Sequence, residues 1–286
     1  MPLLYSATSV FLPHLNLTDT CRLLQTHGYD GIELRVRYFT GDAKAAPSPW
    51  GRHLTDLSPD NILARANEVR DTLAAHKLEL AAFASACRAN ELPVIEKLAA
   101  GAAALGCPRV RVSAPRGYDA KVGYQALYDE AARAYERALN VTRRHGVKIL
   151  VELHGGTIFV SASLAHRLLR HFDPREIGVI YDPQNMVMDG FETVPLALDL
   201  LGPYVAHVHV GGRRPVAGAV DANGTVKWGF ASCRIGEGLF NTALLIAELR
   251  RRQYAGFVCV EDFDDQRPPE TRVADAIRYL RGVDLQ

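Results

Sequence analysis

Four apolar runs in the second half of the chain lead into side chains that titrate or bind metals. Glu152 and His154 follow "KILV", Asp182 follows "GVIY" and Glu261 follows "FVCV". His207 and His209 lie two apart in "VAHVHVGG", residues 205–212. A strand alternates faces, so His207 and His209 share one, as do Glu152 and His154. A lone carboxylate buried beside such runs would be costly. Taken singly, each could be a helix N-cap or a loop hydrogen-bond partner. Carboxylates and imidazoles converging from neighbouring strands are what a divalent metal needs. One cation offsets the repulsion among three carboxylates. Mixed oxygen and nitrogen ligation suits Mn²⁺, Mg²⁺, Co²⁺ or Zn²⁺.

The elements that position these residues are readable as an alternation of short apolar runs and longer amphipathic segments. The strand candidates are 3–11, 29–36, 78–86, 109–114, 148–155, 177–183, 205–211 and 257–263. Helical patterns fill the gaps at 16–27, 58–78, 90–105, 128–146, 161–172, 193–201, 241–253 and 269–281. Ser58 is the expected N-cap of the second helix, and Gly146 the stop signal after the fourth. Eight such units predict an α/β fold of parallel strands with right-handed crossovers, a (β/α)8 TIM barrel. An open doubly wound sheet would more often carry a glycine-rich turn after its first strand, and "SATSVFLPHLNL" has none. No Gly/Ser/Pro tract splits the chain, so one domain is expected over 1–286. Two strand-to-helix connections are long, 37–57 and 212–240, and they hold the two tryptophans, Trp50 and Trp228. On a barrel both connections lie at the C-terminal face, where large aromatics can cover a ligand or simply pack their own loop.

Composition bounds the partners. The chain has 286 residues and a formal net charge of +1 without a long basic or acidic block. That argues against nucleic acid or an anionic membrane as a partner. Arg250, Arg251 and Arg252 fall at a helix end, where they complement its dipole. The five cysteines are scattered, odd in number and lack CxxC spacing, which reads as reduced thiols in a cytoplasmic protein. The first residues lack the pattern of a signal peptide, and no run of about 18 apolar residues marks a membrane span.

The segments "VELHGG", "VIYDPQNMVMDG", "VAHVHVGG", "RIGEGLF" and "FVCVEDF" resemble, in order and spacing, the xylose isomerase-like TIM-barrel superfamily. That superfamily holds sugar isomerases and epimerases, inosose and 3-dehydroshikimate dehydratases and endonuclease IV. The resemblance implies that Glu152, Asp182, His209 and Glu261 bind one divalent metal, Mn²⁺ being the first choice. Asp182 and Asn185 fill the ends of a D-x-x-[HN] element. The family's H-x-K-D reads His209-Val-Gly-Gly212 here. Chemistry that needs the lysine, or a second metal that needs the aspartate, is thus not expected. The two glycines are expected to leave open space beside the metal. A DNA-repair role is not expected either, since the larger histidine and carboxylate cluster and a basic face are missing.

The implied activity is that of a metal-dependent isomerase or epimerase acting on a sugar or related hydroxyketone through an enediolate, with Glu152 and Glu261 as acid and base. Elimination from the same enediolate would make a dehydratase or lyase of a keto-sugar, inosose or 3-keto-glycoside. A non-catalytic sugar- or partner-binding barrel subunit is the alternative outside enzymes. His154, Asn185, His207, Arg234, Glu33 and Trp228 are the expected substrate-binding or supporting residues. For His154 and His207 the competing reading is a satisfied core histidine, and for Glu33 an ion pair with Arg35. Arg88 and Arg116 are further arginines that follow strands, and Cys87 reads as a buried thiol. The partner is a small carbohydrate-like molecule, and a homo-oligomer is expected by analogy alone.

Overall fold

The apolar runs become strands because they are buried on both faces, as parallel strands between helices must be. In the computed structural model, which describes residues 2–285, the strands are β1 (Leu4–Thr8), β2 (Gly31–Arg35), β3 (Glu79–Ala84), β4 (Arg109–Arg111), β5 (Lys148–Glu152), β6 (Ile177–Tyr181), β7 (Val205–Val210), β8 (Gly212–Val220), β9 (Val226–Cys233) and β10 (Phe257–Val260). Eight of them close a parallel barrel in the order β1-β10-β7-β6-β5-β4-β3-β2. The helices around it are α1 (Leu17–Thr26), α2 (Ala66–Ala75), α3 (Leu92–Leu105), α4 (Tyr124–Thr142), α5 (Ala162–Leu169), α6 (Pro183–Asp189), α7 (Val194–Leu201), α8 (Thr242–Arg251) and α9 (Pro269–Asp284). This is the (β/α)8 TIM barrel expected from the alternation.

Two cores hold it together. The larger lies between strands and helices and includes the fully buried Tyr5, Phe11, Phe83, Tyr135 and Tyr181. Ala82, Leu150, Ile180 and Ala206 form a small separate cluster. Leu150 shares a strand face with Glu152, and Ile180 shares one with Asp182, so this plug lies one layer below the carboxylates. No helix among the described residues is long and apolar enough to cross a membrane.

Several boundaries differ from the expected ones. The strands expected at 177–183 and 257–263 stop at Tyr181 and Val260, so Asp182 and Glu261 are the first residues beyond the ladder. Pro183 cannot donate to a ladder and suits the first turn of a helix, and α6 begins there. The helix expected over 58–78 starts at Ala66, after irregular turns at 59–65. Ser58 is not its N-cap, because the Asn61 side chain accepts from the Ser58 N–H at 2.8 Å and fixes a tight turn instead. Gly146 does end its helical segment, in a left-handed conformation (φ 66°).

The 212–240 connection is not an open loop. β8 and β9 pair as an antiparallel hairpin, Gly212 opposite Cys233 and Ala217 opposite Trp228. Gly211 and Gly212 leave no open space beside the site. A Cβ on Gly211 would meet the Glu261 carbonyl and the Gln184 side chain, and one on Gly212 would meet the carbonyls of Cys233 and Arg234. Glycine is required where backbone approaches backbone this closely. Gly211→Ala is expected to cost about 1–3 kcal/mol and to lower the melting temperature by about 2–4 °C per kcal/mol. Differential scanning calorimetry reads this directly, and an unchanged melting temperature would show that the strands part there freely.

Candidate metal centre

Four strands deliver the central cluster. Glu152 closes β5, Asp182 follows β6, His209 lies in β7 and Glu261 follows β10. All four are buried, Asp182 completely. One ligand atom from each lies within 4.8 Å of the others. The His209 Nδ1 sits 3.4 Å from Glu152, 3.7 Å from Asp182 and 3.6 Å from Glu261. That nitrogen is buried without a hydrogen-bond partner. Three buried carboxylates facing one partnerless imidazole nitrogen are the donor set a hard or borderline divalent cation takes. The residues therefore fit such an ion.

The other face of His209 explains why Nδ1 points at the carboxylates. Its Nε2 lies 3.0 Å from the Glu33 carboxylate, which holds the ring orientation from below. The same Glu33 oxygen is 2.8 Å from the His207 Nε2, an ion-pair distance without hydrogen-bond alignment. Glu33 is thus engaged by two histidines and not by Arg35, whose guanidinium donates to the Gly51 carbonyl at 2.9 Å. Burial alone would raise the Glu33 carboxyl, but the His209 charge and the two imidazole contacts carry it well below the usual carboxylate range. Burial likewise opposes charge on His209, yet Glu33 and Glu261, with Asp182 and Glu152, push its pKa well above the ordinary value.

Each carboxylate also has its own tether. Asp182 caps α6, accepting from the Asn185 N–H at 3.1 Å and from the Asn185 side-chain amide at 2.6 Å. The Gln184 amide donates to Glu261 at 3.0 Å. Arg111 pairs with Glu152 at 2.7 Å. These surroundings separate the two glutamates. Burial would raise Glu152, but Arg111 and then His209 pull it down to about 2. Glu261 is pushed up, by burial and by the charges of Glu152 and Asp182, against the pull of His209. Opposed proton affinities in one site are the usual arrangement for an acid and a base.

The remaining expected residues divide. His154 lies beside the cluster and lines a cavity of about 70 Å³ with Arg111, Glu152 and Thr157. Its Nδ1 donates to the Gly155 carbonyl at 2.7 Å, and its Nε2 has no hydrogen-bond partner among the described residues. Arg234 is set apart: it is half exposed and pairs with Asp275 of α9 at 2.6 Å. Trp228 is 63% exposed on the hairpin. Trp50, also exposed, stacks at 5.1 Å on Phe263, two residues beyond Glu261. Arg116 pairs with Glu130, and Cys87 is a buried free thiol. A surface groove of about 450 Å³ lies at the base of the hairpin and includes none of the four cluster residues.

Two residues of the site were not expected from the sequence. Arg111 shares a face with Ser113 in "RVRVSA", so strict alternation would have found it. Gln184 carries no signal of its own, because its position depends on the turn of α6.

Among solved structures the chain is similar to a 3-keto-D-glucoside 4-epimerase from E. coli, at 16% identity over 99% of each chain and a TM-score of 0.71. It is similar to a probable 3-DHS dehydratase from Bacillus anthracis, at 18% identity over 98% of this chain and 99% of the other, with a TM-score of 0.72. A xylose isomerase-like TIM barrel protein from Mycobacterium smegmatis in complex with magnesium matches at 16% identity, over 99% of this chain and 96% of the other, with a TM-score of 0.67. No curated protein matches the sequence. The model of the family described as xylose isomerase-like TIM barrel matches residues 21–283. The chain belongs to the xylose isomerase-like TIM barrel family.

Proposed function

We propose that this protein is a divalent-metal-dependent isomerase or epimerase of a sugar or related hydroxyketone, working through an enediolate. The observation that carries this reading is geometric: three buried carboxylates and the partnerless Nδ1 of His209 lie within 4.8 Å of one another at the mouth of the barrel. Glu152, Asp182, His209 and Glu261 would hold the ion, with Mn²⁺ first and Mg²⁺, Co²⁺ or Zn²⁺ as alternatives. A bound ion would supply Lewis-acid polarisation of the substrate carbonyl and stabilise the enediolate.

The chain's own residues supply the proton transfers. Glu152, kept ionised by Arg111, takes the proton from the carbon beside the carbonyl. Glu261, whose proton affinity is raised relative to that of Glu152, returns a proton to the opposite face of that carbon for an epimer, or to the neighbouring carbon for an isomer. Asn185 and Gln184 keep Asp182 and Glu261 in place during the exchange. With glycines at 211 and 212, proton transfer rests on carboxylates and imidazole rather than on an amine.

His154 favours a second reading. Its Nε2 beside Glu152 is placed to pass a proton to a departing β-hydroxyl or β-alkoxy oxygen once Glu152 has taken the proton from carbon, which would make the enzyme a dehydratase or lyase. The similar structures described as an epimerase and a dehydratase support both outcomes for one scaffold.

Two results are expected. The first concerns metal uptake, since the carboxylates around His209 make the metal-free site hold its proton more tightly than a free imidazole does. Mn²⁺ binding must expel it, so affinity rises with pH up to the His209 pKa and falls as pH drops. Titration calorimetry should give one Mn²⁺ per chain, with affinity climbing between about pH 6 and about pH 8, and His209→Asn should abolish it. Flat affinity over that range would contradict the assignment of His209. The second concerns the enediolate. In ²H₂O, an EDTA-sensitive exchange of deuterium next to the carbonyl is expected with one of a panel of ketoses, inososes and 3-keto-glycosides. Glu152→Gln should slow it by about 10²–10⁴-fold. No exchange with any member would sink the enediolate route.

A further inference from the structure

We infer that the β8–β9 hairpin is a dimerisation arm. Its apolar face packs on the apolar rim at the start of α7 and α8 of a second copy of this chain, and the arm of that copy returns the contact.

The pairing register sorts the side chains of the hairpin into two faces, because directly opposed residues of an antiparallel pair share one. Pro215 opposes Phe230, Ala217 opposes Trp228 and, past a register shift, Val220 opposes Val226. Val226, Trp228 and Phe230 are spaced two apart on β9, so all six lie on one face. Arg214 and Lys227 belong to the other. The apolar face stands in water, with Trp228 63% and Val220 62% exposed. Apart from their mutual pairing, the two strands pack closely with α6 alone among the described elements, at β8. A two-stranded ribbon is marginal in water unless a further layer covers one face.

The same chain offers that layer. Phe191 leads into α7 and meets Phe240 edge-on, with 6.3 Å between ring centres, while Leu239 and Phe240 lead into α8. Leu196 and Leu244 stand in the first turns of these two neighbouring helices. Phe240 is buried, but Phe191, Leu196, Leu239 and Leu244 are exposed, Leu196 to 61%. The rim is anchored at the base of the arm, since the Leu239 N–H donates to the Arg213 carbonyl at 2.7 Å. Neither α7 nor α8 packs closely on the hairpin of its own chain, so the arm does not cover its own rim.

Area and symmetry select a second copy as the occupant. Arm and rim together expose roughly 700 Å² of apolar side chain, near the about 800 Å² that each partner gives to a standard protein interface. A chain that carries both an arm and its seat meets an identical chain twice across a two-fold axis, and the pair closes with neither surface left free. An anionic membrane is a poorer match, because a net charge of +1 gives it little to attract.

Sedimentation velocity on the purified full chain, from about 1 μM to about 100 μM, tests this. The unmutated chain is expected to be a dimer across most of that range. Trp228→Lys in the arm and Leu196→Glu in the rim should each raise the dissociation constant about a hundredfold or more, since each change enters the interface twice. Both positions are exposed, so both variants should melt as cooperatively as the parent. Mixing the two variants leaves one native arm on one native seat and sets lysine against glutamate in the other contact, so a heterodimer should form. A monomeric unmutated chain at about 100 μM, a dimer that either variant holds as tightly as the parent, or no heterodimer at about 1 mM would overturn the proposal. So would a monomeric chain that binds phosphatidylglycerol vesicles and loses that binding with Trp228→Lys, which would make the arm a membrane element.

Discussion

Three carboxylates at one end of an apolar barrel repel one another in a medium that screens poorly, and the architecture of the site follows from that constraint. Each carboxylate has a different neighbour that restrains it. Glu152 faces a guanidinium, Asp182 caps a helix and holds an asparagine, and Glu261 accepts from Gln184. None of these neighbours neutralises the set, since Arg111 brings one positive charge. The shortfall converges on the Nδ1 of His209, which is close to all three. A cation there resolves the repulsion, and the surrounding hydrogen bonds hold the oxygens where it would sit.

The orientation of that set is inherited from below. Glu33 lies on the far side of the barrel from β6, yet it determines which nitrogen of His209 meets the carboxylates. The barrel makes this possible because inward-facing residues of all strands meet at its axis, so one carboxylate on β2 reaches both imidazoles of β7. Above it, the two-glycine step at 211–212 lets β7 pass close to the Glu261 backbone before the chain leaves as a hairpin. The glycines are thus a packing requirement of this barrel mouth. A lysine and an aspartate could not enter without parting β7 from its neighbours.

What was legible in the sequence is what depends on periodicity. Alternation between apolar runs and amphipathic segments was enough to read a closed parallel barrel. Glu152, Asp182, His209 and Glu261 stood out because a polar residue directly after an apolar run lies at a strand's end, and the fold brings those ends together. Strand ends themselves were less legible, since Asp182 and Glu261 look like strand residues until Pro183 and the irregular stretch after Val260 are placed. The hairpin of β8 and β9 escaped because its residues are mostly exposed. Arg234 illustrates a limit of the loop argument. An arginine following a strand can turn outward as readily as inward, and here Asp275 of a neighbouring helix claims it. Contacts between distant segments, such as Trp50 on Phe263, leave no local trace in a single sequence.

The four cluster residues are not held alike. Asp182 and Glu261 are tethered by the side-chain amides of Asn185 and Gln184, and His209 by the Glu33 carboxylate. Glu152 is the exception among the carboxylates, because Arg111 of β4 meets it with a full positive charge. That ion pair lowers the proton affinity of Glu152, so a change at Arg111 would reach Glu152 directly while the other three tethers stay as they are.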